Sequence, residues 1–75
     1  MADKRQIHTV PHEDGWANRR AGSTRVSKVF GTKKEAQAAG RRTAKRSSVE
    51  HVIHRRDGTI GEKHSYGNDP YPPKG

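Results

Sequence analysis

The chain lacks cysteine and leucine, and it is poor in large apolar side chains of every kind. Without cysteine it cannot form a disulfide framework, a thiolate metal site or a thiol nucleophile. Leucine, isoleucine, valine and phenylalanine together supply nine of the 75 residues, and seven alanines provide much of the remaining hydrophobic content. That share lies below the ~20% at which a highly charged sequence is suspected of disorder. The composition therefore excludes a large hydrophobic core.

Long apolar runs are also absent. No stretch approaches the ~20 apolar residues of a membrane span, and no apolar signal-peptide segment follows the charged start Asp3-Lys4-Arg5. We therefore expect a soluble, cytoplasmic protein of one small domain that does not bind membranes. A chain of this size without disulfides commonly gains stability from a second copy of itself, so a homodimer stays open as an alternative.

Charge is what the sequence has in excess. Sixteen lysines and arginines stand against eight acidic residues, which gives a formal net charge of +8 and a pI near 10.5. A protein with this balance attracts polyanions, and the abundant polyanions of a cell are nucleic acids.

Three short strands are predicted in the first half of the chain, because β-branched and aromatic residues alternate there with turn signals. The predicted strands are Ile7 to Pro11, Trp16 to Arg20 and Arg25 to Phe30. Glycines at 15 and 22 mark the two intervening turns.

One helix should follow, from about Lys33 to Arg46. Thr32 and Glu35 match a capping box, and the segment is rich in alanine, which favours the helical conformation. Its small residues recur at helical spacing, which predicts close packing of one face on a sheet. That face consists of Ala36, Ala39, Gly40, Thr43 and Ala44.

A closing hairpin is predicted from Val49 to His54 and from Thr59 to Gly61, with its turn at Asp57-Gly58. The chain is then an α+β domain over residues 7–64, in the order β-β-β-α-β-β, with an antiparallel sheet packed on one helix. Residues 1–6 form a flexible start, and residues 65–75 form a proline- and glycine-rich tail whose tyrosines either dock on the domain, which we favour, or stay free. The expected core combines the small face of the helix with Trp16, Phe30, Val52, Ile53 and Ile60.

Two motifs carry a resemblance to a known family. His54-Arg55-Arg56-Asp57-Gly58 and the later Ser65-Tyr66-Gly67-Asn68-Asp69-Pro70-Tyr71-Pro72 resemble a family of short bacterial and phage proteins known only as a domain of unknown function. The resemblance covers roughly residues 7 to 73 and implies a small, soluble α+β fold. It implies no activity and no catalytic residue. This chain is more basic along its helix than the family type.

The basic residues are the main candidate site. Cations spaced along a rigid helix can each meet a phosphate, so we expect nucleic-acid binding, DNA or RNA, with little sequence specificity. A solvated surface that keeps the protein soluble is one alternative. The other alternative is a protein-interaction module with a phage-related role, which docks on a host protein or on a second copy of itself. The predicted binding residues are Arg19, Arg20, Arg25, Lys34, Arg41, Arg42, Lys45 and Arg46.

The five histidines raise the question of a metal. His8 and His12 share a face if their strand is regular, whereas His51 and His54 fall on opposite faces of theirs. This spacing, without cysteine, does not favour a metal site or a cofactor. There is also no nucleophile elbow and no glycine-rich phosphate loop, so we expect a non-enzymatic protein without a small-molecule substrate.

Overall fold

The structure is a computed structural model that describes residues 5–26 and 28–66. These residues form five strands and one helix. The strands are β1 (Ile7–His12), β2 (Gly15–Arg20), β3 (Lys28–Phe30), β4 (Glu50–His54) and β5 (Ile60–Ser65), and the helix α1 (Lys33–Ser47) lies between β3 and β4. The predicted α+β class and the order β-β-β-α-β-β are confirmed. Within the described residues, no helix is both long enough and apolar enough to cross a membrane.

The sheet has the strand order β3-β2-β1-β4-β5 and is mixed rather than antiparallel throughout. Three of its four strand pairs are antiparallel, but β1 and β4 run parallel, with Ile7 opposite His51 and Thr9 opposite Ile53. A parallel pair needs a crossover connection, which β2, β3 and α1 provide. Pro11 lies beyond the last β1 residue paired with β4, where its missing N–H leaves no ladder hydrogen bond unmade.

The helix begins and ends at residues suited to those positions. Thr32 Oγ1 accepts a hydrogen bond of 3.2 Å from the backbone N–H of Glu35, as the predicted cap requires. Ser48 closes the helix in the left-handed conformation, at φ 56°, and its N–H bonds to the carbonyls of Ala44 and Lys45. The helix is one residue longer than expected.

The core lies between α1 and the sheet. Ala36, Gly40 and Ala44 are buried, and the other two residues of the predicted small face are half-buried. The buried apolar residues of the strands and of the approach to β4 are Ile7, Trp16, Ala17, Val49, Val52 and Ile53.

Two predicted core residues contribute less than expected. Phe30 is half-buried, and Ile60 is wrong as a core residue because 52% of its surface is exposed. Ile60 begins the edge strand β5, next to the irregularity at Ile53 and His54, where the pairing shifts by one residue. No described neighbour covers the outer side of that edge.

The two edge strands differ in length from the prediction. β3 is limited to Lys28–Phe30, whereas β5 extends to Ser65. Tyr66 then packs against a cluster of Ile7, Ala44 and Val49. The rest of the predicted tail, residues 67–75, and the first four residues of the predicted flexible start lie outside the described residues.

Candidate nucleic-acid interface

The outer face of α1 carries five of the eight predicted binding residues. Because the helix turns its small residues toward the sheet, its long cationic side chains extend into solvent. All five are exposed: Lys34, Arg41, Arg42, Lys45 and Arg46. We call this set the basic helix face.

The basic helix face has two rows. At 100° per residue, Lys34, Arg41 and Lys45 lie along one side of the helix, and Arg42 and Arg46 lie along the other. At the C-terminal end of the first row, Lys45 Nζ is 5.9 Å from the centre of the Tyr66 ring. Along the helix axis its members are separated by about 10 Å and about 6 Å.

A shallow depression adjoins the first row. Its volume is about 500 Å³, and it is open to solvent rather than enclosed. Such a shape suits an extended backbone laid on the surface better than a small molecule enclosed by the protein. The depression is lined by Lys33, Lys34, Gln37, Ala38 and Arg41.

Among the described residues, acidic side chains are not paired with these charges. Across residues 5–26 and 28–66, no carboxylate forms a salt bridge with any member of the basic helix face; the Glu62 carboxylate contacts His64 Nε2 at 3.0 Å. The helix holds six cationic residues and one acid, Glu35, which lies in the first turn, where a negative charge is favourable. The basic helix face is therefore available to an external anion.

The three predicted arginines outside the helix are not part of the basic helix face. Arg19 is on the sheet face opposite α1 and donates from Nη1 to the carbonyl of Ser23, at 3.1 Å. Arg20 reaches the end of the helix, where Nη2 donates to Ser47 Oγ at 3.0 Å. Arg25 is exposed in the loop before β3. The structure thus brings five of the predicted residues together and does not bring these three to them.

A buried polar network lies beneath the helix, and the sequence reading missed it. Thr9 Oγ1 donates to Asn18 Oδ1 at 2.5 Å, and Asn18 Nδ2 donates to the carbonyl of Ala36 at 2.8 Å. His51 Nε2 lies 2.7 Å from Thr9 Oγ1. Since the Thr9 hydroxyl gives its proton to Asn18, His51 Nε2 must carry the proton that Thr9 accepts. The sequence signal for this network was Gly40, a glycine within the helix on the face that packs against polar strand residues.

Burial keeps His51 neutral. Its removal from water, followed by repulsion from His64, His8 and Arg41, lowers its pKa to about 4, against a small opposing effect of Glu62. Its Nδ1 has no hydrogen-bond partner. In the neutral tautomer with the proton on Nε2, this unpaired atom is an acceptor, so no N–H group is left without a partner.

Two further histidines, His8 and His54, contact each other on the opposite face of the sheet. His8 Nδ1 is 2.8 Å from His54 Nε2, which confirms that His54 and the buried His51 lie on opposite faces of β4. Burial, then repulsion from His54 and Arg19, lowers the pKa of His8. Among the described residues, no three histidines or carboxylates are grouped closely enough to hold a metal ion.

Fold and surface together define a small α+β protein with one basic helix on a five-stranded sheet. The chain belongs to the family described as "Uncharacterized protein conserved in bacteria (DUF2188)", whose model matches residues 7–66. It is similar to "Uncharacterized protein YdaT" of Bacillus subtilis (strain 168), with 34% identity over 61 residues. That match covers 81% of this chain and 41% of the relative. No solved structure matches the chain.

Proposed function

We propose that this protein binds the phosphate backbone of nucleic acids through the basic helix face, without catalysis. The observation that carries the proposal is the set of five exposed cations on one helix, with no described acid paired to them. Each cation that meets a phosphate releases condensed counterions, which favours binding at low salt. Arg19 and Arg25 are left out of this contact surface because they lie elsewhere on the domain. Arg20 is left out because its guanidinium donates to Ser47 Oγ at the end of the helix.

The proposed binding is tolerant of sequence. The side chains of the basic helix face are lysine and arginine only, and their charges can meet phosphates whatever the base sequence. The first row adjoins a shallow depression that is open to solvent and does not enclose a base. We expect the affinity to depend on the charge density of the ligand more than on its bases.

Titration of labelled duplex DNA, single-stranded DNA and RNA of matched length at two salt concentrations tests the proposal. Micromolar or tighter binding that weakens steeply with salt supports it, and the preferred ligand names the target. Absence of binding to all three near physiological salt contradicts it, and the charge is then mainly a device for solubility.

A homodimer joined through β5 is the second candidate, from the class of protein-interaction modules. β5 is an edge strand, and five of its six residues are exposed. Antiparallel pairing with a second copy can place Glu62 opposite Lys63 of that copy, and cross-strand pairs of opposite charge are stabilising. A dimeric mass after nuclease treatment, lost in Glu62→Lys and retained in Glu13→Lys, supports this candidate. A monomeric mass at high protein concentration excludes it.

A further inference from the structure

The sheet face opposite α1 carries a chain of hydrogen bonds with an unusual proton requirement. Gln6 Nε2 donates to Glu50 Oε1 at 2.5 Å, and Gln6 Oε1 lies 3.2 Å from His8 Nε2. His8 Nδ1 lies 2.8 Å from His54 Nε2, and His54 Nδ1 lies 3.0 Å from the carbonyl oxygen of Gly58. The chain therefore runs from β4 through β1 and back to the turn that follows β4.

Both ends of this chain accept hydrogen bonds. The Glu50 carboxylate only accepts, so it takes the Gln6 amide group and turns the Gln6 oxygen toward His8. The Gly58 carbonyl also only accepts. His8 Nε2 and His54 Nδ1 must then each carry a proton if the two outer hydrogen bonds are to form.

The contact between the two rings needs one proton more. Two neutral imidazoles hold one proton each, and the outer hydrogen bonds use both of them. The 2.8 Å contact of His8 Nδ1 with His54 Nε2 would then join two lone pairs, which repel. One additional proton between these atoms completes all three hydrogen bonds.

We propose that His8 and His54 bind one proton as a unit and form an imidazole–imidazolium pair, a proton site on the sheet face opposite the basic helix. The additional proton belongs to His54, which donates to Gly58 from one nitrogen and to His8 from the other. His8 remains neutral with its own proton on Nε2. The lowered pKa of His8, due to burial and to repulsion from His54, Arg19 and Lys63, supports this assignment.

The charged surroundings disfavour the uptake of a second proton by the pair. Arg19 on β2 and Lys63 on β5 act on His8 as positive charges, and His12 lines the same depression as Arg19 and His54. Arg55 and Asp57 lie in the turn after His54. Glu50, which favours positive charge, acts through Gln6. A second proton would break the acceptor role of His8 Nδ1 and add to this positive charge, so it should bind only at a lower pH than the first.

Loss of the shared proton at higher pH has a structural consequence. With two neutral rings, one of the three hydrogen bonds must fail, either at Gln6, between the rings or at Gly58. The chain spans the parallel pair β1 and β4 and the turn of the closing hairpin. The pair thus makes this end of the sheet sensitive to pH.

Nitrogen-detected NMR of the histidine rings across pH 4 to 9, on the full chain, tests the proposal without a substitution. The expected result is two separate protonation steps for the pair. In the first step, as the pH is lowered, His54 gains its second ring proton, while His8 keeps its proton on Nε2 and its Nδ1 stays unprotonated. Superimposable one-step curves for His8 and His54 would overturn it, and so would a neutral His8 protonated on Nδ1 after the first step, when the pair holds its additional proton.

A variant pair adds an independent measurement. Gln6→Ala removes the acceptor of His8 Nε2 and should shift the first step of the pair, whereas Gln37→Ala, on the helix, should leave it in place. Coupling of the two rings also predicts that the NMR titration curve of His8 has a single step in the His54→Gln variant. An unchanged two-step curve for His8 in that variant contradicts a shared proton.

Discussion

Gly40 of the helix lies directly against His51 of the interior strand β4. A Cβ atom built on Gly40 falls 2.7 Å from His51 Nε2, and also within 3 Å of Asn18 Oδ1 and Thr9 Oγ1. The helix therefore approaches the buried polar network so closely that only a hydrogen atom fits between them. A chain without leucine thus joins its helix to the sheet by close approach of small residues rather than by large side chains.

Replacing Gly40 by alanine should destabilise the protein. At an exposed helical position this change stabilises by about 1 kcal/mol, because alanine has the higher helix propensity. Here the methyl group collides with three buried polar atoms, and overpacking of this kind costs about 1–3 kcal/mol. Chemical denaturation should show a lower free energy of unfolding for Gly40→Ala. The control is Gly31→Ala, whose Cβ has its nearest neighbour 3.8 Å away, and equal or greater stability of Gly40→Ala than of wild type would contradict the packing.

Acid should weaken the fold through His51. Because its pKa is lowered from 6.5 to about 4 in the folded chain, the unfolded chain binds the proton more readily between these two values. The free energy of unfolding should fall as pH decreases from about 6.5 to about 4, and the contribution of His51 should stop changing below that. One pKa unit corresponds to about 1.4 kcal/mol, so the loss is up to about 3 kcal/mol.

Denaturation at half-unit steps between pH 4 and 7.5 measures this loss. His8, whose pKa burial also lowers, acts in the same direction, so the series is repeated on His8→Gln to isolate the part due to His51. The ring of His51 should gain its proton at about pH 4, at the acid end of this fall in stability. Stability that does not change with pH in His8→Gln would rule out a neutral, buried His51.

Removing charge from the basic helix face should weaken nucleic-acid binding and flatten its salt dependence. The test variant is Arg41→Ala/Arg42→Ala/Lys45→Ala. For duplex DNA, each phosphate contact contributes ~0.9 to the slope of log affinity against log salt, so the loss should be up to ~2.7.

The matched control is Arg25→Ala/Arg56→Ala/Lys63→Ala, which removes the same net charge from exposed positions outside the helix. It should keep most of the wild-type slope. Equal slopes for the two triple variants would mean that net charge alone, and not the helix, governs the interaction.

The local features of the fold could be predicted from the sequence because they depend on neighbours along the chain. The cap at Thr32, the small face around Gly40 and the turn at Asp57-Gly58 are all encoded within a few residues. In the structure, Thr32 accepts from Glu35, and Asp57 Oδ1 accepts from the backbone and hydroxyl of Thr59. The exposed cations of the helix follow from the same periodicity, since the opposite side of a helix that buries small residues faces water.

The features that were missed depend on residues far apart in the chain. Parallel pairing of β1 with β4 joins segments more than 40 residues apart, and no local pattern distinguishes it from an antiparallel arrangement. The network of Thr9, Asn18 and His51 needs the same pairing to form. Arg19 and Arg20 are adjacent in sequence, yet successive residues of a strand face opposite sides of the sheet, so they could not share one surface.

The two isoleucines of the closing hairpin give the last prediction, because the sequence reading placed both in the core and the structure separates them. Ile53 is 2% exposed and Ile60 is 52% exposed. Truncation of a buried isoleucine costs about 2–5 kcal/mol, through lost burial and the cavity left behind, whereas a surface substitution usually stays within about 0.5 kcal/mol. Ile53→Ala should therefore unfold at much lower denaturant concentration than Ile60→Ala, which should remain close to wild type. If Ile60→Ala proved as destabilising as Ile53→Ala, then Ile60 would be covered in solution, and a dimer through β5 would become the first explanation to test by mass.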